Sequence, residues 1–262
     1  MKTRLDAELV RRELARSREA AADLIESHSV LVNGIPATKP ATQVDAQTSI
    51  TLQGNRDDFV SRGGHKLAGA LDAFPEVVVD GVRALDAGAS TGGFTDVLLR
   101  RGAREVVAVD VGYGQLAWEL RQDPRVCILD RTNIRHLTGD VVGEPTGLVV
   151  ADLSFISLTL VLPALSAVSK PDADFLLMVK PQFEVGRERL GAGGVVRDPS
   201  LRKSAVMDVA MSAYDVGLGT RGVVASSLPG PAGNVEYFLW LKRGAGEISE
   251  LDLDKAIEIG PQ

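Results

Sequence analysis

Five short apolar runs, at 84–87, 106–111, 126–129, 148–153 and 175–179, alternate with longer helix-like or loop segments. Short runs that are mostly apolar, not apolar on alternate residues, are the mark of strands buried on both faces of a sheet. Parallel neighbours need crossovers of a dozen or more residues, and helices commonly supply them. The pattern therefore predicts βαβ units and a mostly parallel, doubly covered sheet, an α/β fold. Near the C-terminus the spacing changes. Two more runs, at 221–226 and 235–241, are joined through the stretch PGPAG at 229–233. That connection is too short for a parallel crossover, so the last strand is expected to run backwards.

The first fifty or so residues have a different texture. Leu5, Leu9, Val10 and Leu14 recur at helical spacing among arginines and glutamates, predicting an amphipathic helix. A second helix is expected to start at Ser17, an N-cap followed by Glu19 in the first turn, with Ala21, Leu24 and Ile25 on one face. The run VLVNGI at 30–35 then reads as a hairpin, because Asn33-Gly34 supplies the two positive φ angles of a type I′ turn. A small α+β module over 1–56, a polar linker over 57–63 and a catalytic-sized domain over 64–262 with an acidic tail are the expected divisions.

Composition narrows the classes. The formal charge of −6, from 29 Lys and Arg against 35 Asp and Glu, argues against a wholly basic nucleic-acid binder. The charge is uneven, however. Through Lys66 there are 10 basic and 9 acidic residues, and after it 19 and 26, so a local basic face remains compatible with an acidic whole. Cys127 is the only cysteine and the three histidines, His28, His65 and His136, are scattered, so no metal site is expected. The N-terminus is charged from Lys2 and carries no apolar signal core, and no apolar stretch approaches a membrane span. A cytoplasmic protein without stable membrane association is expected. Cys127, Trp118 and Trp240 read as packing residues.

The richest local chemistry lies in LDAGASTGGFTD at 85–96: a strand end, a glycine turn and a helix start. In open α/β sheets, ligands bind at that carboxyl edge. The spacing matches neither a dinucleotide fingerprint nor a P-loop. The next strand ends at Asp110, placed to accept hydrogen bonds from a ribose diol. A glycine turn with a ribose-binding acid and no phosphate cradle points to S-adenosylmethionine. Asp152 and Lys180 end two later strands, and Glu236 starts the reversed strand, which opens at the same edge. Lys66 lies on the helix leading into the first of these strands. Two lysines and two carboxylates are thus expected to converge.

That tetrad is similar to the Lys-Asp-Lys-Glu set of ribose 2′-O-methyltransferases. From RLDAE at 4–8 through 86–95, 110–116, 131–133, 151–158 and 179–186 to 228–241, the chain resembles the TlyA family of bacterial rRNA cytidine-2′-O-methyltransferases, also called haemolysin A. The resemblance implies a class I, Rossmann-like S-adenosylmethionine-dependent methyltransferase domain behind an S4-type RNA-binding domain. Its implied targets are cytidines of 16S and 23S ribosomal RNA in the ribosomal subunits, near their interface. It carries catalytic roles to Lys66, Asp152, Lys180 and Glu236; by its chemistry Lys180 is read as general base if its pKa is lowered, or, if it stays protonated, as the group that steers the hydroxyl's lone pair toward the methyl group. It carries cofactor contacts to Asp86, Gly88, Ser90, Thr91, Gly92, Gly93, Phe94, Asp110, Asn133, Asp152 and Phe155, and RNA contacts to Arg4, Arg16, Arg18 and Lys39. The older family name raises a second reading, a membrane-active cytolysin, which would need an apolar span or a strongly amphipathic face.

Overall fold

A computed structural model describes residues 2–12, 14–15, 17–26, 29–45, 47–52 and 59–260. The chain divides into two compact units, Met1–Asp58 and Phe59–Gln262.

In the first unit, β1 (Thr3–Arg4), α1 (Leu5–Arg11), α2 (Arg18–Glu26), β2 (Val30–Val32), β3 (Ile35–Pro36), β4 (Gln43–Val44) and β5 (Ile50–Leu52) follow one another. Ser17 Oγ accepts from Ala20 N, the capping bond its position predicts. Asn33 and Gly34 turn the β2–β3 hairpin at φ 49° and 81°. β2 is the centre of a three-stranded antiparallel sheet, with β3 and β5 on either side, while β1 pairs with β4. Leu5, Leu9, Ala21, Ile25, Val30, Ala37, Val44 and Ile50 make the core. The acids of α1 are not spread over its surface. Asp6 and Glu8 are buried, Asp6 taking Arg4 and Arg18 at 2.9 Å each, and Glu8 taking Arg11 at 2.6 Å and Arg12 at 2.8 Å. These arginines hold Asp6 well below the ordinary carboxylate range, Arg4 foremost.

The second unit contains α3 (Arg62–Ala73), β6 (Arg83–Ala87), α4 (Gly93–Arg100), β7 (Glu105–Val109), α5 (Trp118–Arg121), β8 (Val126–Leu129), α6 (Gly139–Val142), β9 (Thr146–Ala151), α7 (Leu162–Ala167), β10 (Ser169–Val179), α8 (Pro181–Glu184), α9 (Pro199–Asp215), β11 (Leu218–Ala225), β12 (Tyr237–Arg243) and α10 (Glu250–Ile259). The strands form one seven-stranded sheet in the order β11-β12-β10-β9-β6-β7-β8. β8, β7, β6, β9 and β10 are parallel. β12 runs against both its neighbours, as the short 229–233 connection requires, but it is interior, and β11 forms the edge. Two hydrophobic clusters cover the two faces. One gathers Leu67, Leu71, Phe94, Val97, Leu98, Phe238 and Trp240, the other Val161, Leu162, Val206, Val209, Tyr237, Leu239 and Leu253.

Three sequence expectations need correction. α3 starts at Arg62, inside the stretch 57–63 read as linker. Cys127 is exposed, not buried, because β8 is the other sheet edge and pairs with β7 alone. Trp118 is 69% exposed at the start of α5, and only Trp240 packs, its Nε1 donating to Asp174 Oδ1 at 2.8 Å.

Candidate active site

The parallel strands end on one edge of the sheet, and the ends of β6, β7, β9 and β10 each contribute one piece of the site. After β6, Gly88 N and Ala89 N both donate to Val109 O, tying the turn to the end of β7. Gly88 (φ 88°), Ser90 (φ 47°) and Gly92 (φ 99°) lie in the left-handed region. At Gly88 a Cβ would also come 2.7 Å from the backbone oxygen of Asp152, so only glycine fits between β6 and β9 there. Asp110, one residue beyond β7, takes Ser90 N on Oδ2 at 2.8 Å and Gly112 N on Oδ1 at 2.7 Å. Its carboxylate is therefore fixed in place while lone pairs remain for a diol.

One residue beyond β9, Asp152 N donates to Ala87 O at 3.1 Å, and one residue beyond β10 stands Lys180. Lys180 Nζ lies 2.5 Å from Asp152 Oδ1 and donates to Ser154 Oγ at 3.0 Å. Glu236 precedes the reversed β12 and is completely buried. It receives Lys66 Nζ on Oε2 at 2.5 Å, from the second turn of α3. Lys66, Asp152 and Lys180 line a cleft of about 260 Å³, together with Gly88, Ala89, Ser90, Thr91, Gly93 and Phe94. Glu236 lies behind Lys66. The structure thus brings the four expected residues into two lysine–carboxylate pairs.

Other expected positions fall elsewhere. Asp86 does not line the cleft: it is fully buried in β6, beneath the turn, where Thr95 Oγ1 donates to its Oδ2 at 2.7 Å. Burial pushes its carboxyl up to about 7. In the folded chain Asp86 then keeps its proton over a pH range in which the unfolded chain has lost it. Its contribution to stability is complete below the ordinary value of 3.8 and disappears as pH rises towards 7. Asp86→Asn should flatten this slope: from pH 5 to 7.5 the wild type should lose about 2–3 kcal/mol more than the variant in urea unfolding. Equal slopes would show that Asp86 is ionised in the folded chain.

Asn133 is exposed and caps the 3₁₀ turn Ile134–His136 by accepting from Arg135 N at 3.0 Å. Phe155, at φ 65° and 92% exposed, sets its ring 5.2 Å from that of Phe183. In the first unit Arg4, Arg18 and Lys39 are exposed, and Arg16 lies outside the described residues. The sequence reading did not single out Ser61, Arg62, Gly63, Ser154, Pro229 or Pro231, all of which line the cleft. The run SRGGHK at 61–66 was the available signal for the first three, since its paired glycines sit between a cap position and Lys66.

Residues 59–243 match the model of the FtsJ-like methyltransferase family, and residues 3–50 that of the S4 domain. The 16S/23S rRNA (cytidine-2′-O)-methyltransferase TlyA of Mycobacterium tuberculosis is 60% identical over 242 residues, covering 92% of this chain and 90% of that one. The chain belongs to the TlyA family of FtsJ-like methyltransferases. Hemolysin A of Brachyspira hyodysenteriae is 35% identical over 235 residues, covering 89% of this chain and 97% of that one. A solved structure described under the hemolysin name, from Streptococcus thermophilus, superposes with a TM-score of 0.75 at 36% identity, covering 98% of this chain and 94% of that one.

As an FtsJ-like methyltransferase the chain uses S-adenosylmethionine, and the residues present fit it. The turn at 88–93 lets backbone approach a ligand closely, Asp110 offers a fixed carboxylate, and the cleft wall that follows carries Lys180 and Asp152. Among the described residues no helix is long and apolar enough to cross a membrane.

Proposed function

We propose that this methyltransferase methylates the ribose 2′-hydroxyl of cytidines in 16S and 23S ribosomal RNA near the subunit interface, in the cytoplasm. The observation that carries the reading is the pairing of Lys180 with Asp152 and of Lys66 with Glu236 beside the glycine turn. The 60% identical relative bears that activity in its name. When bound, S-adenosylmethionine supplies a methyl group already activated on sulfonium sulfur. The chain must align the incoming oxygen and take up one proton as the O–CH₃ bond forms and the S–CH₃ bond breaks.

In this reading Lys180 Nζ accepts the hydroxyl proton. To do so it must first release its own ammonium proton to solvent; Asp152 Oδ1 and Ser154 Oγ, which hold Lys180 Nζ in the structure, then receive the ammonium formed when the hydroxyl proton is taken up. Lys66, clamped by the buried Glu236, contributes a fixed positive charge at the cleft wall, where the developing oxyanion needs it. Asp110 holds the cofactor's ribose, and Gly88, Ser90 and Thr91 its approach surface. Transfer of labelled methyl from S-adenosylmethionine to isolated 30S and 50S subunits and to 70S particles, followed by mapping of 2′-O-methyl positions, tests the reading. Label on a base, or none on any particle, would overturn it.

For RNA docking, the buried Asp6 is the useful observation. It anchors Arg4 and Arg18 from beneath while leaving their side chains 46% and 59% exposed. Around Asp6 the guanidinium groups of Arg4 and Arg18 therefore face outward over a carboxylate turned inward. Arg4→Ala, Arg18→Ala and Lys39→Ala are each expected to weaken rRNA binding at all salt concentrations and to reduce the salt slope by about 1. Cofactor affinity should stay at the wild-type value, and an unchanged salt slope in all three would remove this surface from RNA binding.

A further inference from the structure

Lys180 depends on a segment that has little regular structure of its own. Between the end of β9 at Ala151 and the 3₁₀ turn Leu158–Leu160, residues 152–157 form no helix or strand. This segment carries both partners of Lys180, Asp152 and Ser154, and it contains Phe155 in a left-handed conformation. A non-glycine residue in that region persists only where its surroundings hold it. The near end is tied to β6 through Asp152 N and Ala87 O. At the far end Leu158 is buried in the core, and the hydrogen-bonding side chain there is Glu184. Leu158 N donates to Glu184 Oε1 at 2.9 Å, and Ser157 Oγ donates to Glu184 Oε2 at 2.5 Å.

Glu184 closes the one-turn helix α8, which starts at Pro181 directly after Lys180. Phe183 N donates to Lys180 O and Val185 N to Pro181 O, so Lys180 and Glu184 move as one rigid turn. Two segments 26–27 residues apart in sequence are therefore fastened at both ends. Lys180 grips Asp152 and Ser154 at the cleft, Glu184 grips Ser157 and Leu158 at the back, and the Phe155 and Phe183 rings lie 5.2 Å apart between them. Glu184 is not among the cleft-lining residues, so it acts through others. Its carboxyl is half-buried, and that burial raises its proton affinity.

We infer that Glu184 is a positioning residue for methyl transfer: it fixes the 152–157 segment so that Asp152 and Ser154 orient Lys180 Nζ. The inference rests on the proposed ribose methylation for its kinetic readout. A shift of about 1 Å in a catalytic group costs up to about a hundredfold in rate. In Glu184→Ala, kcat on ribosomal subunits should fall at least about tenfold while KM for rRNA and for S-adenosylmethionine stays within about threefold. Glu184→Gln, which keeps an acceptor for Leu158 N and can donate to Ser157 Oγ, should recover kcat to within about threefold of wild type. Amide hydrogen exchange over 152–158 should be faster in Glu184→Ala than in wild type, in the full chain without RNA.

If Glu184→Ala fails to fold, Ser157→Ala removes one of the two bonds, and should lower kcat and speed exchange to a smaller degree. Wild-type kcat and wild-type exchange in the folded variant would overturn the inference, as would a loss expressed only in either KM. A wild-type chain that methylates no ribosomal particle would overturn the proposed function instead, and the exchange comparison would still decide whether Glu184 holds the segment.

Discussion

Replacing Lys180 by alanine or by arginine should reduce single-turnover methyl transfer by about 10²–10⁴-fold, the range lost when a positioned proton acceptor is removed. The two variants test different things. Alanine removes the nitrogen altogether and leaves Asp152 without its ion-pair partner at 2.5 Å. Arginine keeps a positive charge that Asp152 and Ser154 can hold, but a guanidinium does not give up its proton in a protein. Loss in both, with S-adenosylmethionine affinity little changed by calorimetry, is the result expected of a proton-accepting lysine. Activity near wild type in Lys180→Arg would mean that the cation at this position only orients the hydroxyl, and near-wild-type rates in both would remove Lys180 from the chemistry.

Why Lys180 could be found from sequence, and Glu184 could not, follows from what local spacing encodes. Strand ends are legible because a doubly covered strand is apolar until it leaves the sheet, so the first polar residue after 148–151 or 175–179 marks the carboxyl edge. Asp110, Asp152 and Lys180 all stand one residue past their strands. Glu236 was placed by direction alone, since a reversed strand must begin where its neighbours end. Facing was harder to read. Asp86 belongs to the same motif as Gly88, yet β6 is buried along its whole length and carries the carboxyl inside. The run VCIL at 126–129 looks like a covered strand, but which strand becomes an edge is decided by topology, and Cys127 is exposed for that reason. The bonds of Ser154 to Lys180 and of Glu184 to Ser157 join residues 26 and 27 positions apart, a separation with no periodic signature. In the first unit, counting charges makes Asp6 and Glu8 cancel their arginines, whereas folding puts the acids inside and the guanidinium groups outside.

The Lys66–Glu236 pair should couple stability to catalysis in a way the Lys180–Asp152 pair does not. Side-chain exposure is 8% for Lys66 and 1% for Glu236, against 10% for Lys180 and 24% for Asp152. Removing one partner leaves a buried charge uncompensated, which costs about 3–5 kcal/mol. Lys66→Met and Glu236→Leu should each therefore destabilise the chain on that scale in denaturant unfolding, and each should abolish methyl transfer. Buried ion pairs replaced as a unit by apolar side chains of similar volume are often neutral in stability, because desolvation of both charges is avoided. The double variant Lys66→Met/Glu236→Leu should then recover most of the lost stability while staying inactive, since the Lys66 ammonium is gone from the cleft wall. A double variant that regains both stability and methyl transfer would show that the pair only holds α3 against β12. One that regains neither would show that Glu236 has a further duty at its unpartnered Oε1, which lies against the Gly230 turn where a Cβ would come within 2.6 Å of it.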